Sequence, residues 1–405
     1  MVTPGGASDP AAGGASRRVR VLWVTKGLEV GGIERLLCWT AGVRDQDRFD
    51  CEAAYVLSWA SALDEELRAT GVTVHRLGAR HELDLAWALR LRRVLVSGDF
   101  DVVHFHSPYV AGVGRLVVRS LSPPRRPRVV STEHNVWGDY RLATRTLNAL
   151  TTRLDDAHVA VSEQVRRSMA RSVRPGVDVV LHGVPLASLR GHRASRDDVR
   201  AELGLADGDV VIATVANLRA QKGYPELLEA ARRLLDRGLP VRFVAVGQGP
   251  MAGDLARRHA SLGLGDRFRF LGYRDDAVHV LAGCDVFALA SRHEGGPLAV
   301  IEALAMGLPV VATAVGVVPD VVTDGVEGLL VPPRRADLLA EALGRLVVDP
   351  ARRSAMAAAA LRRADDLEVE RTVRRLEELY RDLAASRDIR GKIRRSSEGG
   401  EPTVP

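Results

Sequence analysis

Residues 285–315, DVFALASRHEGGPLAVIEALAMGLPVVATAV, read as a strand, a helix and a second strand. The run DVFALAS is apolar almost throughout and ends at Ser291, as expected of a strand covered on both faces. Pro297 suits the first helical position, where a missing N–H costs nothing, and Gly307 with Pro309 ends the helix before PVVATAV. At the helix start, Gly295 and Gly296 leave backbone amides open, and such an end attracts anions, phosphate above all. Glu294 falls in the loop before the helix, whereas Glu302 lies five residues beyond Pro297, ~8 Å further along at 1.5 Å per residue. The two carboxylates would therefore touch different parts of one extended ligand. A sugar joined through a diphosphate to a nucleoside fits, with hydroxyls at both ends and the diphosphate at the amides. The competing reading of the pair alone is a capped helix with one acidic residue on its solvent face.

The same alternation extends in both directions. VRVLWV, CEAAYVLS, VTVHRLG, DVVHFH, PRVVST, DAHVAVS and VDVVLHGV are strand candidates before residue 187, separated by amphipathic segments such as LDLAWALRLRRVLVSG. GHRASRDDVRAELGLADGD, residues 191–209, breaks the pattern, and the domain junction is placed at 187–200. The strands resume with VVIATVANL, VRFVAVGQG, FRFLGY, DVFALAS, PVVATAV and GLLVPP. Two successive doubly wound α/β domains follow, with ligand expected at the carboxyl ends of their strands.

The block 291–333, SRHEGGPLAVIEALAMGLPVVATAVGVVPDVVTDGVEGLLVPP, resembles the C-terminal signature of the family 4 retaining glycosyltransferases, which have the GT-B fold. The family usually has an aromatic residue or Leu after the first Glu-Gly, where this chain has Gly296 and Pro297. The resemblance implies an N-terminal acceptor-side domain over 17–190 and a nucleotide-sugar-binding domain over 191–365. The helix 366–386 would return to the first domain. Residues 1–16 are read as a disordered leader and 387–405 as a disordered basic tail.

Further site residues follow from the resemblance. In ANLRAQKGYPELLEA, Lys222 matches the family's diphosphate-binding lysine, while Asn217 stands at the usual arginine position and Arg219 lies two residues on. Gly247 in VGQGP marks a tight strand-to-helix turn, and Tyr273 with Arg274 in FLGYRDD falls where the family holds the nucleotide base. Gly31 and Gly32 in KGLEVGGIERLL resemble the N-terminal glycine loop facing the donor phosphates. His106 in DVVHFHSPY resembles the active-site histidine, whereas His104, ~6.6 Å deeper on the same strand face, is expected to be a core residue with its hydrogen bonds made. Glu133 and His134 in TEHN are acceptor-contact candidates, with plain loop polarity as the alternative. His182 in VLHGV replaces the family's common Asn and reads as a junction residue. Leu298 belongs to the donor-side helix end with Gly295, Gly296 and Pro297.

Composition sets the outer bounds. The chain has 405 residues, 46% hydrophobic and 27% charged, enough for two cores and ordinary for a globular protein. No stretch approaches the ~20 apolar residues of a membrane span. Residues 1–16 lack the basic start and apolar core of a signal peptide, and Cys38, Cys51 and Cys284 have no metal-ligand spacing. A cytoplasmic protein without a metal or other cofactor is expected. The net charge of +6 is concentrated at 125–128, 166–174 and 387–395, and with 4% aromatics a nucleic-acid partner is not expected. The basic clusters admit peripheral contact with an anionic membrane; solvated arginines that keep the protein soluble are the alternative.

P-loop, GxSxG and HExxH motifs are all missing from the sequence. The expected activity is retaining transfer of a sugar from a nucleotide-diphosphate sugar to a hydroxyl acceptor, with His106, Lys222 and Glu294 as catalytic residues. A catalytically silent nucleotide-sugar-binding module and a nucleotide-sugar epimerase on the same architecture are the alternatives.

Overall fold

The computed structural model describes residues 17–29, 31–81 and 84–398, with side chains through residue 386. The expected leader and residues 399–405 of the expected tail lie outside the described residues. Seven strands form the first sheet: β1 Val19–Thr25, β2 Phe49–Leu57, β3 Thr73–Ala79, β4 Val102–Phe105, β5 Arg128–Glu133, β6 Ala157–Ala160 and β7 Val177–Val179. Six form the second: β8 Val210–Val215, β9 Val241–Val246, β10 Phe268–Gly272, β11 Val286–Leu289, β12 Val310–Thr313 and β13 Gly328–Val331. Each strand candidate from the sequence is among them.

Both sheets are parallel, ordered β3-β2-β1-β4-β5-β6-β7 and β10-β9-β8-β11-β12-β13. Chain order reverses between β1 and β4 in one and between β8 and β11 in the other, which opens a crevice at the carboxyl ends of those four strands. The strands are buried on both faces because helices cover both. Val21 and Trp23 of β1 pack toward Leu37, Cys38 and Tyr380, whereas Leu22 and Val24 pack toward Trp87, Leu91 and Val110. This period-two division makes each strand an apolar run rather than an alternating one. In the helix Tyr224–Asp236, Leu227, Leu228, Ala231 and Leu234 fall on one buried stripe at helical spacing.

The final helix, Val369–Glu398, crosses back to the first domain. Its Tyr380 hydroxyl accepts from Trp23 Nε1 at 3.3 Å, and its Glu377 accepts from the Asp45 amide at 2.8 Å. It does not end at Ser386, so the stretch 387–398 expected to be disordered continues the helix. The chain crosses between domains twice at one place: Val184 N–H donates to Leu367 at 2.9 Å, and Val369 N–H donates back to Val184 at 3.0 Å. That paired crossover precedes the expected junction at 187–200. Leu189 and Val199 from that stretch belong instead to the core of the second domain, because their apolar faces pack with Phe287 and Leu304.

Candidate active site

The loops after β8 and β11 meet at a salt bridge. Lys222 Nζ donates to Glu294 Oε1 at 2.6 Å, and Ser291 Oγ donates to the same oxygen at 2.6 Å. The Arg292 amide donates to Gln221 at 2.7 Å, locking the two loops together. The lysine and the carboxylate, each singled out separately in the sequence, therefore form one unit. An ammonium has three donors, so one bond to Glu294 leaves two for an anion. Arg219 and Asn217 are exposed on the same loop.

Helix Leu298–Ala305 opens after Pro297, which is its cap rather than its first residue. Among the described residues no hydrogen bond leaves the Gly295 or Gly296 amide, so both remain donors at the positive end of the helix. Gly295 lies flat on the first domain, where a Cβ would stand 1.6 Å from the His134 carbonyl oxygen. Only glycine permits that approach. Leu298 meets the other glycine loop, 3.6 Å from the point where a Cβ on Gly32 would sit.

Four imidazoles form a ladder from the first domain's core to this helix end. Ring centroids are 4.1 Å apart for His104 and His106, 5.5 Å for His106 and His134, and 5.3 Å for His134 and His182. His104 is the satisfied core residue, bonded to the Tyr380 hydroxyl at 2.6 Å and to Thr132 Oγ1 at 2.7 Å. His106 Nδ1 is 3.3 Å from His134 Nε2. His106 Nε2, His134 Nδ1 and both nitrogens of His182 are buried with no hydrogen-bond partner. Burial pushes His106 down to about 3, helped by the nearby His182, and burial pushes His182 down to about 4. His134 is held well below the usual range by burial and its neighbours. These rings are neutral at physiological pH, suited to hydroxyl groups rather than to phosphate.

Glu133 does not join them. Its carboxylate accepts from Asn148 Nδ2 at 2.5 Å and Tyr140 Oη at 2.8 Å, and His158 Nε2 lies 3.5 Å away. Burial works to raise its pKa, but His158 and these donors more than offset it and hold the carboxylate below its usual range. Glu133 is thus engaged within the first domain while the adjacent His134 joins the ladder, because period-two alternation turns adjacent side chains to opposite faces.

Glu302 lies on the first helix turns beyond the amides, half-buried, and burial pushes its carboxyl up to about 7 against the opposing charge of Arg35. Arg35 belongs to helix Gly32–Val43 of the first domain and is held by both oxygens of Glu66 at 2.8 Å. Its charge also acts on Tyr273, which is 42% exposed at the rim and donates to Asp275 at 2.5 Å. Arg274 is committed elsewhere, to Asp276 at 2.7 Å and Glu202 at 2.6 Å. Gly247 sits at the end of β9, its amide donating to Gly272 at 2.8 Å. Arg35 was not singled out from sequence; its place in the first turn after Gly31 and Gly32 was the available signal.

The domains touch at further points along the cleft. Asp320 Oδ2 accepts from the Glu163 amide at 3.0 Å, Gln164 Oε1 accepts from the Gly316 amide, and His293 Nδ1 is 3.6 Å from Asp139 Oδ1. Among the described residues no group of three His, Cys, Asp or Glu is arranged to hold a metal ion.

Two α/β domains facing across such a cleft define the GT-B architecture. Residues 195–363 match the family model for glycosyl transferases group 1, and residues 30–188 match that for glycosyltransferase family 4. A D-inositol 3-phosphate glycosyltransferase of Corynebacterium urealyticum is 34% identical over 308 residues, covering 70% of this chain and 72% of that protein. The α-D-kanosaminyltransferase of Streptomyces kanamyceticus is 29% identical over 297 residues, 69% of this chain and 77% of that protein. In three dimensions, HepE of Anabaena in complex with UDP and glucose superposes with a TM-score of 0.78 at 20% identity, over 90% of this chain and 100% of that one. The chain belongs to the family 4 glycosyltransferases.

Proposed function

We propose that this glycosyltransferase is retaining and metal-independent, and that it takes its sugar from a nucleotide-diphosphate sugar and passes it to a hydroxyl acceptor. The observation that carries the reading is that Lys222 is bonded to Glu294, immediately before the unbonded amides of Gly295 and Gly296, so that ammonium and helix end can together serve as a cationic cradle for a departing diphosphate. Solved structures of similar fold contain UDP and UDP-glucose, which supports a nucleotide-sugar donor.

Lys222, Arg219 and the helix end neutralise charge as the bond from the anomeric carbon to the phosphate oxygen breaks. The acceptor oxygen attacks the same face of the sugar, and its proton passes to the leaving phosphate. Glu294 is tied to Lys222 and Ser291, so it serves as an oriented acceptor for sugar hydroxyls rather than as a covalent nucleophile. His106 offers a neutral ring to the sugar, and Glu302 accepts from the ribose. Contact between the domains excludes water and fixes the reacting groups.

The test is to incubate the protein with UDP-, GDP-, ADP- and TDP-sugars and candidate acceptors in EDTA, and to assign the product anomer by NMR. Transfer with the donor's anomeric configuration kept is expected. Inversion, or strict dependence on a divalent ion, overturns the mechanism. A donor with a changed sugar would indicate an epimerase, and binding without turnover a silent module.

A further inference from the structure

Helix Leu142–Thr151 carries its polarity inside out. Asn148 and Thr151 face inward and accept from Arg115 at 2.6 and 3.0 Å, while Leu142 and Leu150 are 69% and 60% exposed. A surface helix ordinarily presents the opposite arrangement. The exposed stripe is one wall of a groove of about 780 Å³ whose other wall is helix Glu163–Ser168 with Met169 and Ala170, above buried Trp137. Two arginines, Arg145 and Arg167, line this groove and no carboxylate does. The helix Leu142–Thr151 itself contains no acidic residue. Nearby, Glu163 takes up part of the charge of Arg166 and Arg167, whereas Arg171 is exposed beyond them.

An apolar slot with cationic walls matches an amphiphile with an anionic head. We propose that this groove docks the protein on an anionic lipid surface, with an acyl chain against Leu142 and Leu150 and the headgroup phosphate between Arg145 and Arg167. Its position links it to the cleft. Gln164 lines the groove and accepts from the Gly316 amide, and Gly316 packs against the Glu294 carbonyl. A lipid-borne acceptor would then enter from the bilayer, a consequence that rests on the transfer reading above.

Flotation with vesicles of phosphatidylcholine alone, and of phosphatidylcholine mixed equally with phosphatidylglycerol, tests the docking. The wild type is expected to float with the anionic vesicles only, and less so as salt rises. Leu142→Ser/Leu150→Ser and Arg145→Ala/Arg167→Ala should each weaken partitioning by ~10-fold or more. All four side chains lie at the surface, so melting temperatures should match the wild type, and UDP-glucose titration without vesicles should be unaffected. That titration separates failure of docking from failure of the donor reading. A wild type that ignores anionic vesicles, or a leucine variant that floats as well as the wild type, overturns the proposal. So does a dimer abolished by the leucine variant in the absence of any vesicle binding, since the groove's occupant would then be a second copy.

Discussion

His182 Nδ1 lies 2.9 Å from the point where a Cβ on residue 296 would stand. The imidazole occupies the space that a side chain after Glu294 and Gly295 would need. Gly296 and His182 are thus fitted to one another across the domain interface.

Placing Leu at 296 should accordingly destabilise the protein by about 1–3 kcal/mol, the usual cost of overpacking a filled site. Adding His182→Asn should recover most of that loss. Urea denaturation of both single variants and the double variant gives the coupling; additive effects would mean that the pair is not complementary.

Lys222→Ala should reduce turnover by ~10²-fold or more, since it removes the cation facing the developing phosphate charge. The variant also strands Glu294, whose side chain is 8% exposed, with Ser291 as its remaining partner. A modest loss of stability should accompany the kinetic effect. Turnover close to wild type in a folded variant would transfer the role to Arg219.

Donor affinity should depend on pH through Glu302. Its carboxyl sits at about 7 because of burial, and a carboxylate accepting ribose hydroxyls must be ionised. Above pH 7 the free protein already holds it ionised, and affinity is at its plateau. Below pH 7 binding must release a proton, so Kd should rise toward tenfold per pH unit. For stability the sign is opposite: the raised pKa favours the fold fully below the unfolded value near 4.5, and that advantage is lost as pH rises through about 7. Glu34 is also pushed to about 7, chiefly by burial. Calorimetry on Glu302→Gln and Glu34→Gln distinguishes them: only the Glu302 variant should lose the pH dependence.

Much of this was legible in the chain because its signals are local. Strand runs bounded by Gly and Pro gave both sheets, and EGGPLAVIE with Lys222 picked out two loops that meet at the cleft. What the sequence could not convey depends on contacts between distant segments. Lys222 and Glu294 are 72 residues apart, so their bond was invisible even though each was singled out. The histidine ladder draws on β4, β5 and the crossover, and the partners of Glu133, namely Tyr140, Asn148 and His158, come from segments further along the chain. Arg35 is an ordinary helix residue until the second domain is set opposite it. The pairing of Val184 with Val369 joins segments 185 residues apart, so it carried no local signal, whereas the polar run 191–209 did.

If Lys222 and the Gly295–Gly296 end hold a diphosphate without a metal, nucleoside diphosphates should stabilise the protein against heat in EDTA and the matching monophosphates should not do so equally. At least one of UDP, GDP, ADP or TDP should raise Tm, its monophosphate should do so ~10-fold or more weakly, and Lys222→Ala should abolish the difference. A monophosphate that stabilises as well as its diphosphate, or stabilisation that appears only with a divalent ion, would rule out a metal-free diphosphate site at Lys222.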